Sequence, residues 1–325
     1  MEKSGKKRRG RRASQSVIAL AMTFAATFVQ AQSTFENGAV QQARLFNERP
    51  TSGVSATGEQ LFPPIESFSG DSAADSDVGQ QWLLKRNLPP NPFTVRASFS
   101  ILYTSNVALS RFSPLGDAFA VADFGIGYVR PITQDWTLGI NVQQSFFRYD
   151  QYSEFDFEST NVNVALSRQI PQLGNFSFSI QYALSRLTGG SLDEQLYFGH
   201  TFALGVAKVI QVNPANSVEF DGAAGYTLAD PSDLQRGEVR SAVTYSVQFA
   251  RNFSATAVAR LEFYGYTNDD RQDLLQSVAL GARWDLTNWL FLSGSISLAN
   301  NLSSQPAFSY RALNTGATVT AHIRF

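Results

Sequence analysis

The side chains that could do chemistry in this 325-residue chain are few. It has two histidines and no cysteine, which removes a thiol nucleophile, a thiolate metal site and a disulfide framework. His200 falls on an apolar row with Phe198, Phe202 and Leu204, and nothing obviously nucleophilic lies near His322. A lone histidine on a strand is more often structural than catalytic. Asp123-Phe124-Gly125 spells the kinase tripeptide, yet neither a Gly-rich phosphate loop nor a catalytic-loop motif goes with it. The acidic residues Asp150, Glu154, Asp156, Asp269, Asp270 and Asp273 lack the ordered spacing of a calcium loop, so a solvated rim is expected. No histidine stands at metal-ligand spacing from carboxylates. The expectation is no catalytic residue, no metal and no cofactor.

What remains is a set of charges that recur at every second position. Arg96, Arg240, Arg260, Arg283 and Arg324 face Glu219, Asp221, Glu238, Glu262 and Asp285, five of each sign. Their spacing says which element carries them. In Gly237–Arg251, Val239, Val243, Tyr245, Val247 and Phe249 alternate with Glu238, Arg240, Thr244, Ser246 and Gln248. In Ser254–Thr267, Ala255, Ala257, Ala259, Leu261 and Phe263 alternate with Thr256, Arg260, Glu262 and Tyr264. The last stretch, Ala312–Phe325, sets Ala317, Val319, Ala321, Ile323 and Phe325 against Thr318, Thr320, His322 and Arg324. Strict alternation puts the two rows on opposite faces of a β-strand.

Twelve such strands are expected: Thr94–Leu109, Ala120–Pro131, Trp136–Tyr149, Phe157–Ile170, Asn175–Arg186, Gln195–Ile210, Asn216–Leu228, Gly237–Arg251, Ser254–Thr267, Leu274–Leu286, Trp289–Asn300 and Ala312–Phe325. Each exceeds the 9 to 11 residues, roughly, of a tilted membrane crossing. Short connections rich in turn formers, such as Pro171–Gly174 and Thr287–Asn288, alternate with longer, mostly acidic ones, such as Asp150–Asp156 and Asn268–Asp273. An all-β, antiparallel, membrane-spanning barrel of about 12 strands, apolar outside and polar within, accounts for the pattern. Its even strand count places both barrel ends on the short-turn side, which in such barrels faces the periplasm. The charged row then lines the lumen, and its mixed sign predicts weak ion selectivity. Opposite charges on neighbouring strands are expected to pair across the wall and narrow the bore. A soluble β-sandwich is the fold-level alternative.

The chain begins differently. Lys6–Arg12 is basic, Ser16–Val29 is apolar, and Val29-Gln30-Ala31 supplies small residues at the cleavage positions, so residues 1–31 read as a signal peptide cut after Ala31. That segment carries seven basic residues and one acidic, and its removal takes the formal charge from −1 to −7. An acidic mature chain argues against nucleic acid as a partner. Residues 32–93, with six prolines and an acidic-serine run, are expected to be an irregular periplasmic leader. Two short amphipathic helices, around Ala39–Phe46 and Val78–Leu84, leave open a plug anchored by Trp82-Leu83-Leu84. The barrel is assigned to residues 94–325.

A last strand that stops on Phe325 resembles the bacterial outer-membrane β-barrel family, porins included. The resemblance implies that Phe325 helps the barrel-assembly machinery recognise the chain, and that outer-membrane lipids surround it. Tyr103–Leu109 also resembles a run at the first strand of some outer-membrane barrels, surface-lipoprotein assembly modifiers among them, although the helical repeats of those modifiers are missing here. Two aromatic belts fit the same picture. Trp136, Phe176, Phe253, Trp284, Trp289, Phe291 and Phe325 lie near the short turns, and Tyr103, Phe146, Tyr149, Tyr197, Phe198, Phe263 and Tyr266 near the long loops. The expected function is a small, weakly selective channel or transport-associated barrel. The alternatives are a structural or surface-interaction barrel with a closed lumen and, by analogy with a twelve-strand phospholipase, a lipid hydrolase at the outer rim.

Overall fold

The computed structural model describes residues 38–47, 92–133, 135–174, 176–190 and 194–325. One helix, α1 (38–47), precedes twelve strands. These are β1 (Phe93–Thr104), β2 (Asp117–Pro131), β3 (Trp136–Tyr149), β4 (Phe157–Ile170), β5 (Phe176–Gly189) and β6 (Gln195–Asn213), then β7 (Asn216–Asp230), β8 (Arg236–Ala250), β9 (Phe253–Tyr266), β10 (Gln272–Asp285), β11 (Leu290–Ser303) and β12 (Tyr310–Arg324). Every strand pairs antiparallel with its neighbours in sequence, and β1 pairs with β12 to close the barrel. The seam runs from Thr94 opposite Arg324 to Thr104 opposite Asn314. It is completed by backbone bonds from Phe93 N to Phe325 O (3.1 Å) and from Phe325 N to Phe93 O (3.0 Å). Closure leaves no strand edge unpaired.

The period of two decides the faces. On β9, Val258, Arg260, Glu262 and Tyr264 are buried while Leu261 and Phe263 are exposed at 52% and 45%. On β10, Asp273, Leu275 and Ala279 are buried while Val278 and Leu280 are exposed. An apolar residue is therefore commonly outside and a charged one inside, the inverse of a soluble barrel.

Two expectations need correction. The first strand was expected to run to Leu109, but β1 ends at Thr104. There Asn106 takes over: its side-chain amide donates to Ser110 O (2.8 Å) and Arg311 O (2.9 Å), and its Oδ1 accepts from Ser110 N (3.0 Å). Residues 105–109 thereby turn inward, and Asn106, Val107 and Leu109 are buried. The second correction concerns the aromatic belts. Trp284, Trp289 and Phe325 stand exposed at the short-turn end and Tyr103 and Phe263 at the other, but Tyr149, Tyr197, Tyr266 and Phe291 are buried inside. Each shares the inward parity of its strand, as Tyr266 shares that of Arg260 and Glu262. The interior at the long-loop end therefore holds an apolar cluster beside its buried charges. Phe147 stacks on Phe157 (4.1 Å between centroids) and Phe119 on Tyr149 (5.0 Å).

The helix possible at Ala39–Phe46 is present over 38–47 and belongs to this inner core, while most of the segment assigned to residues 32–93 lies outside the described residues. The second expected helix, the Trp82-Leu83-Leu84 anchor and the signal segment lie outside the described residues.

Candidate functional site

Ten residues are too few for a stable isolated helix in water. Around α1, however, burial extends to every face: Ala39, Val40, Gln41, Gln42, Ala43 and Leu45 are all at most 7% exposed. A helix buried all round is enclosed. Leu45 and Val40 sit in the cluster with Leu102, Val107 and Leu275, and the Phe46 ring meets Phe147 edge-on at 4.9 Å.

Polar contacts fix its height and rotation. At its middle, the Gln42 Nε2 amide donates to Asn106 O (3.0 Å) and Val107 O (3.2 Å), tying α1 to the inward turn. In its last turn, Arg44 Nη2 donates to Glu262 Oε2 at 2.8 Å, Arg44 Nη1 lies 3.9 Å from Glu238 Oε2, and the guanidinium covers the Tyr264 ring at 4.6 Å. At its end, Asn47 Oδ1 accepts from Gln143 Nε2 (3.3 Å). Gln143 also donates to Asp123 Oδ1 (2.8 Å), and Asp123 accepts from Ser145 (2.8 Å), Ser98 (3.2 Å) and Arg96 (3.3 Å). Such partners offset the cost of burying the Asp123 carboxylate. The Glu262 side chain is 0% exposed, and it also accepts from the Tyr264 hydroxyl and lies 3.5 Å from Arg260 Nε.

The ten charges singled out from the sequence distribute as follows. Arg96 pairs with Asp123 on the adjacent strand. Arg260 pairs with Glu262, and Arg283 with Asp285 (2.6 Å), each two residues along one strand. Glu238 pairs with Arg236 (3.5 Å) and Arg44. Arg240 passes over β6 and β7 to donate to Gln181 Oε1 on β5 (3.2 Å). Asp221 is buried with neither carboxylate oxygen hydrogen-bonded, and Glu219 is half-buried two residues away. Arg324 is exposed at the short-turn mouth. Arg96 thus realises the expected pairing between neighbouring strands. Arg260 and Arg283 pair along their own strands, because side chains two apart on one strand share a face, and Glu238 pairs with Arg236 and α1.

Arg44, Asn106, Asp123, Gln143 and Arg236 were not among the expected site residues. Parity alone puts Asp123 on the inward face with Gly125 and Gly127. No pattern joins Arg44 to a residue 218 positions away. The histidines sit against aromatic groups: His200 Nδ1 is 2.8 Å from the Tyr182 hydroxyl on the outer face, and His322 lies beside Phe291. Among the described residues no three His, Asp or Glu side chains converge to hold a metal ion. Asp156 accepts from Tyr149 N (2.8 Å), so one of the acidic loop residues organises its own loop.

A closed twelve-strand antiparallel barrel, charged within and apolar without, has counterparts among solved structures. An outer membrane channel from Pseudomonas putida F1 superposes with a TM-score of 0.53 at 12% identity, over 72% of this chain and 96% of that one. This chain has the outer-membrane β-barrel fold. Outer-membrane barrels resembling it less in shape include a bacterial polysaccharide outer membrane secretin (TM-score 0.44, 10% identity, 72% and 99% covered). The KdgM porin in complex with disordered oligogalacturonate follows at 0.38, with 10% identity and 70% and 98% covered. No protein-family model and no curated protein matches the chain. In this outer-membrane barrel α1 occupies the long-loop half of the lumen.

Proposed function

We propose that the chain is an outer-membrane barrel of a Gram-negative-type bacterium, exported by residues 1–31, which passes small solutes when α1 leaves the lumen and is shut while α1 is docked. The carrying observation is the ion pair between Arg44 of α1 and the buried Glu262 of the wall. A helix docked by side-chain contacts, with no backbone pairing to the wall among the described residues, can leave as a unit, whereas a wall side chain cannot. The interior charges of both signs support weak ion preference. The long loops face outward from the cell, and both barrel ends face the periplasm.

The aromatic packing of Phe119, Phe147 and Phe157 beside α1 favours a second reading, a structural or surface-interaction barrel with a closed lumen. One lock separates the two. The chain has no cysteine, and a Cβ at Gly38 would lie 3.8 Å from the Ala108 carbonyl oxygen. A Gly38→Cys/Ala108→Cys pair should therefore tether α1 when oxidised. In planar bilayers under a salt gradient, the oxidised pair is expected to stay shut and the reduced pair to conduct. Equal conductance before and after reduction would show that α1 does not gate. Silence in every form, including a chain lacking residues 32–91, would transfer the reading to the closed-lumen barrel.

Orientation has its own test. Asp233→Cys and Asp270→Cys, in the β7–β8 and β9–β10 connections, should react with an impermeant maleimide on intact cells. Reaction at Leu173→Cys instead would invert the barrel.

A further inference from the structure

The outer wall is not uniformly apolar. Gln276, Asn300 and Arg311 occupy outward positions on β10, β11 and β12, and lie opposite one another in the register. They form a relay: Asn300 Nδ2 donates to Gln276 Oε1 (3.4 Å), and Arg311 Nε donates to Asn300 Oδ1 (3.1 Å). The relay holds the guanidinium by Nε. Its two Nη groups have no acceptor and no carboxylate within ion-pair distance among the described residues. Arg311 is exposed, and as the second residue of β12 it stands at the long-loop end.

Beside it lies a groove of about 850 Å³ that crosses β7 to β12. Two outward rows border it, Val243, Val278, Leu298 and Leu313 on one side and Leu261 leading to Gln276, Asn300 and Arg311 on the other. Ala259 contributes only a methyl to the first row. Five inter-strand steps give a length of about 24 Å, against about 15 Å of hydrocarbon in one leaflet. Because barrel strands are inclined by roughly 35–45°, a groove running across them climbs the wall. It rises from Phe220, near the short-turn end of β7, to Arg311.

We infer that this groove and Arg311 form a binding site for a phosphorylated, acylated glycolipid of the outer leaflet. The free Nη groups take a phosphate oxygen pair, the geometry for which a guanidinium is suited, and one acyl chain lies along the groove over Ala259. Charge complementarity selects the headgroup. An arginine with no acid partner among the described residues, at the rim of an apolar groove, is complemented by an anion at the interface. The occupant follows from the proposed orientation, which puts Arg311 in the outer leaflet, and the inference rests on that reading.

Native mass spectrometry of the intact barrel in detergent tests it, with lipid A, phosphatidylglycerol and phosphatidylcholine added as equimolar probes. One lipid A per barrel is expected, retained at least tenfold better than either phospholipid. Arg311→Ala should lower its retention about tenfold, as should Ala259→Trp, which fills the groove and leaves the relay intact. Arg111→Ala, an exposed loop arginine, should change nothing. Equal retention by wild type and Arg311→Ala overturns the site, and so does equal retention of lipid A and phosphatidylglycerol, which rejects the occupant. Because binding is read in detergent, it is separable from localisation. Arg311-dependent lipid A binding by a barrel whose loops fail to label on cells would sink the orientation and keep the site.

Discussion

Glu262→Ala is expected to open the lumen of the intact chain. Glu262 receives Arg44 from α1, Arg260 from its own strand and the Tyr264 hydroxyl, all inside the core. Removing it leaves two guanidinium groups buried near one another, with Glu238 at 3.9 Å from Arg44. Breaking a buried pair by deleting one partner costs about 3–5 kcal/mol. At 1.4 kcal/mol per factor of ten, that weakens docking of α1 by roughly a hundredfold or more. Arg44→Ala should be milder, because Glu262 keeps Arg260 and Tyr264. In planar bilayers the order of open probability is expected to be Glu262→Ala above Arg44→Ala above wild type. The double variant should fall well short of the sum of the two, since both changes remove one contact. The folded state is checked by the shift in electrophoretic mobility between heated and unheated samples. A folded Glu262→Ala barrel that conducts like wild type would refute the latch.

The second large effect concerns Phe325. Deleting it removes both backbone bonds to Phe93 and a stacked ring contact, 5.9 Å between centroids and 18° between planes. Phe325→Ala removes the ring and keeps the backbone pair. If assembly machinery reads the aromatic ring, both variants should reduce folded protein in the outer membrane several-fold, and by similar amounts. If seam closure dominates, deletion should be much the worse and Phe325→Ala near wild type. Both variants, refolded into detergent without the machinery, should recover a stable barrel under the first account. Unchanged membrane levels in both would remove Phe325 from assembly and closure alike.

Much of the fold was legible in the sequence because a strand's faces follow from a local rule. Side chains two apart share a side, so Glu238 and Arg240, or Arg260 and Glu262, declare a common face without knowledge of any partner. Length and turn residues then bound the elements, and β3 and β4 begin and end where the pattern predicts. Even α1 was legible as a short amphipathic run. Its position was not, because ten residues carry no record of where they dock. Arg44 meets Glu262 only once twelve strands have closed and brought together groups 218 residues apart. The inward aromatics show the same division. Tyr149, Tyr197, Tyr266 and Phe291 have the parity of the interior, but their composition resembles a membrane belt. Their partners lie on other strands or loops, Phe119 for Tyr149, Arg271 for Tyr266 and His322 for Phe291, and meet them only in the folded barrel. Local geometry determined which face each side chain takes, while tertiary closure decided which side chains meet, because the partners' proximity is produced by the barrel and by no segment of it.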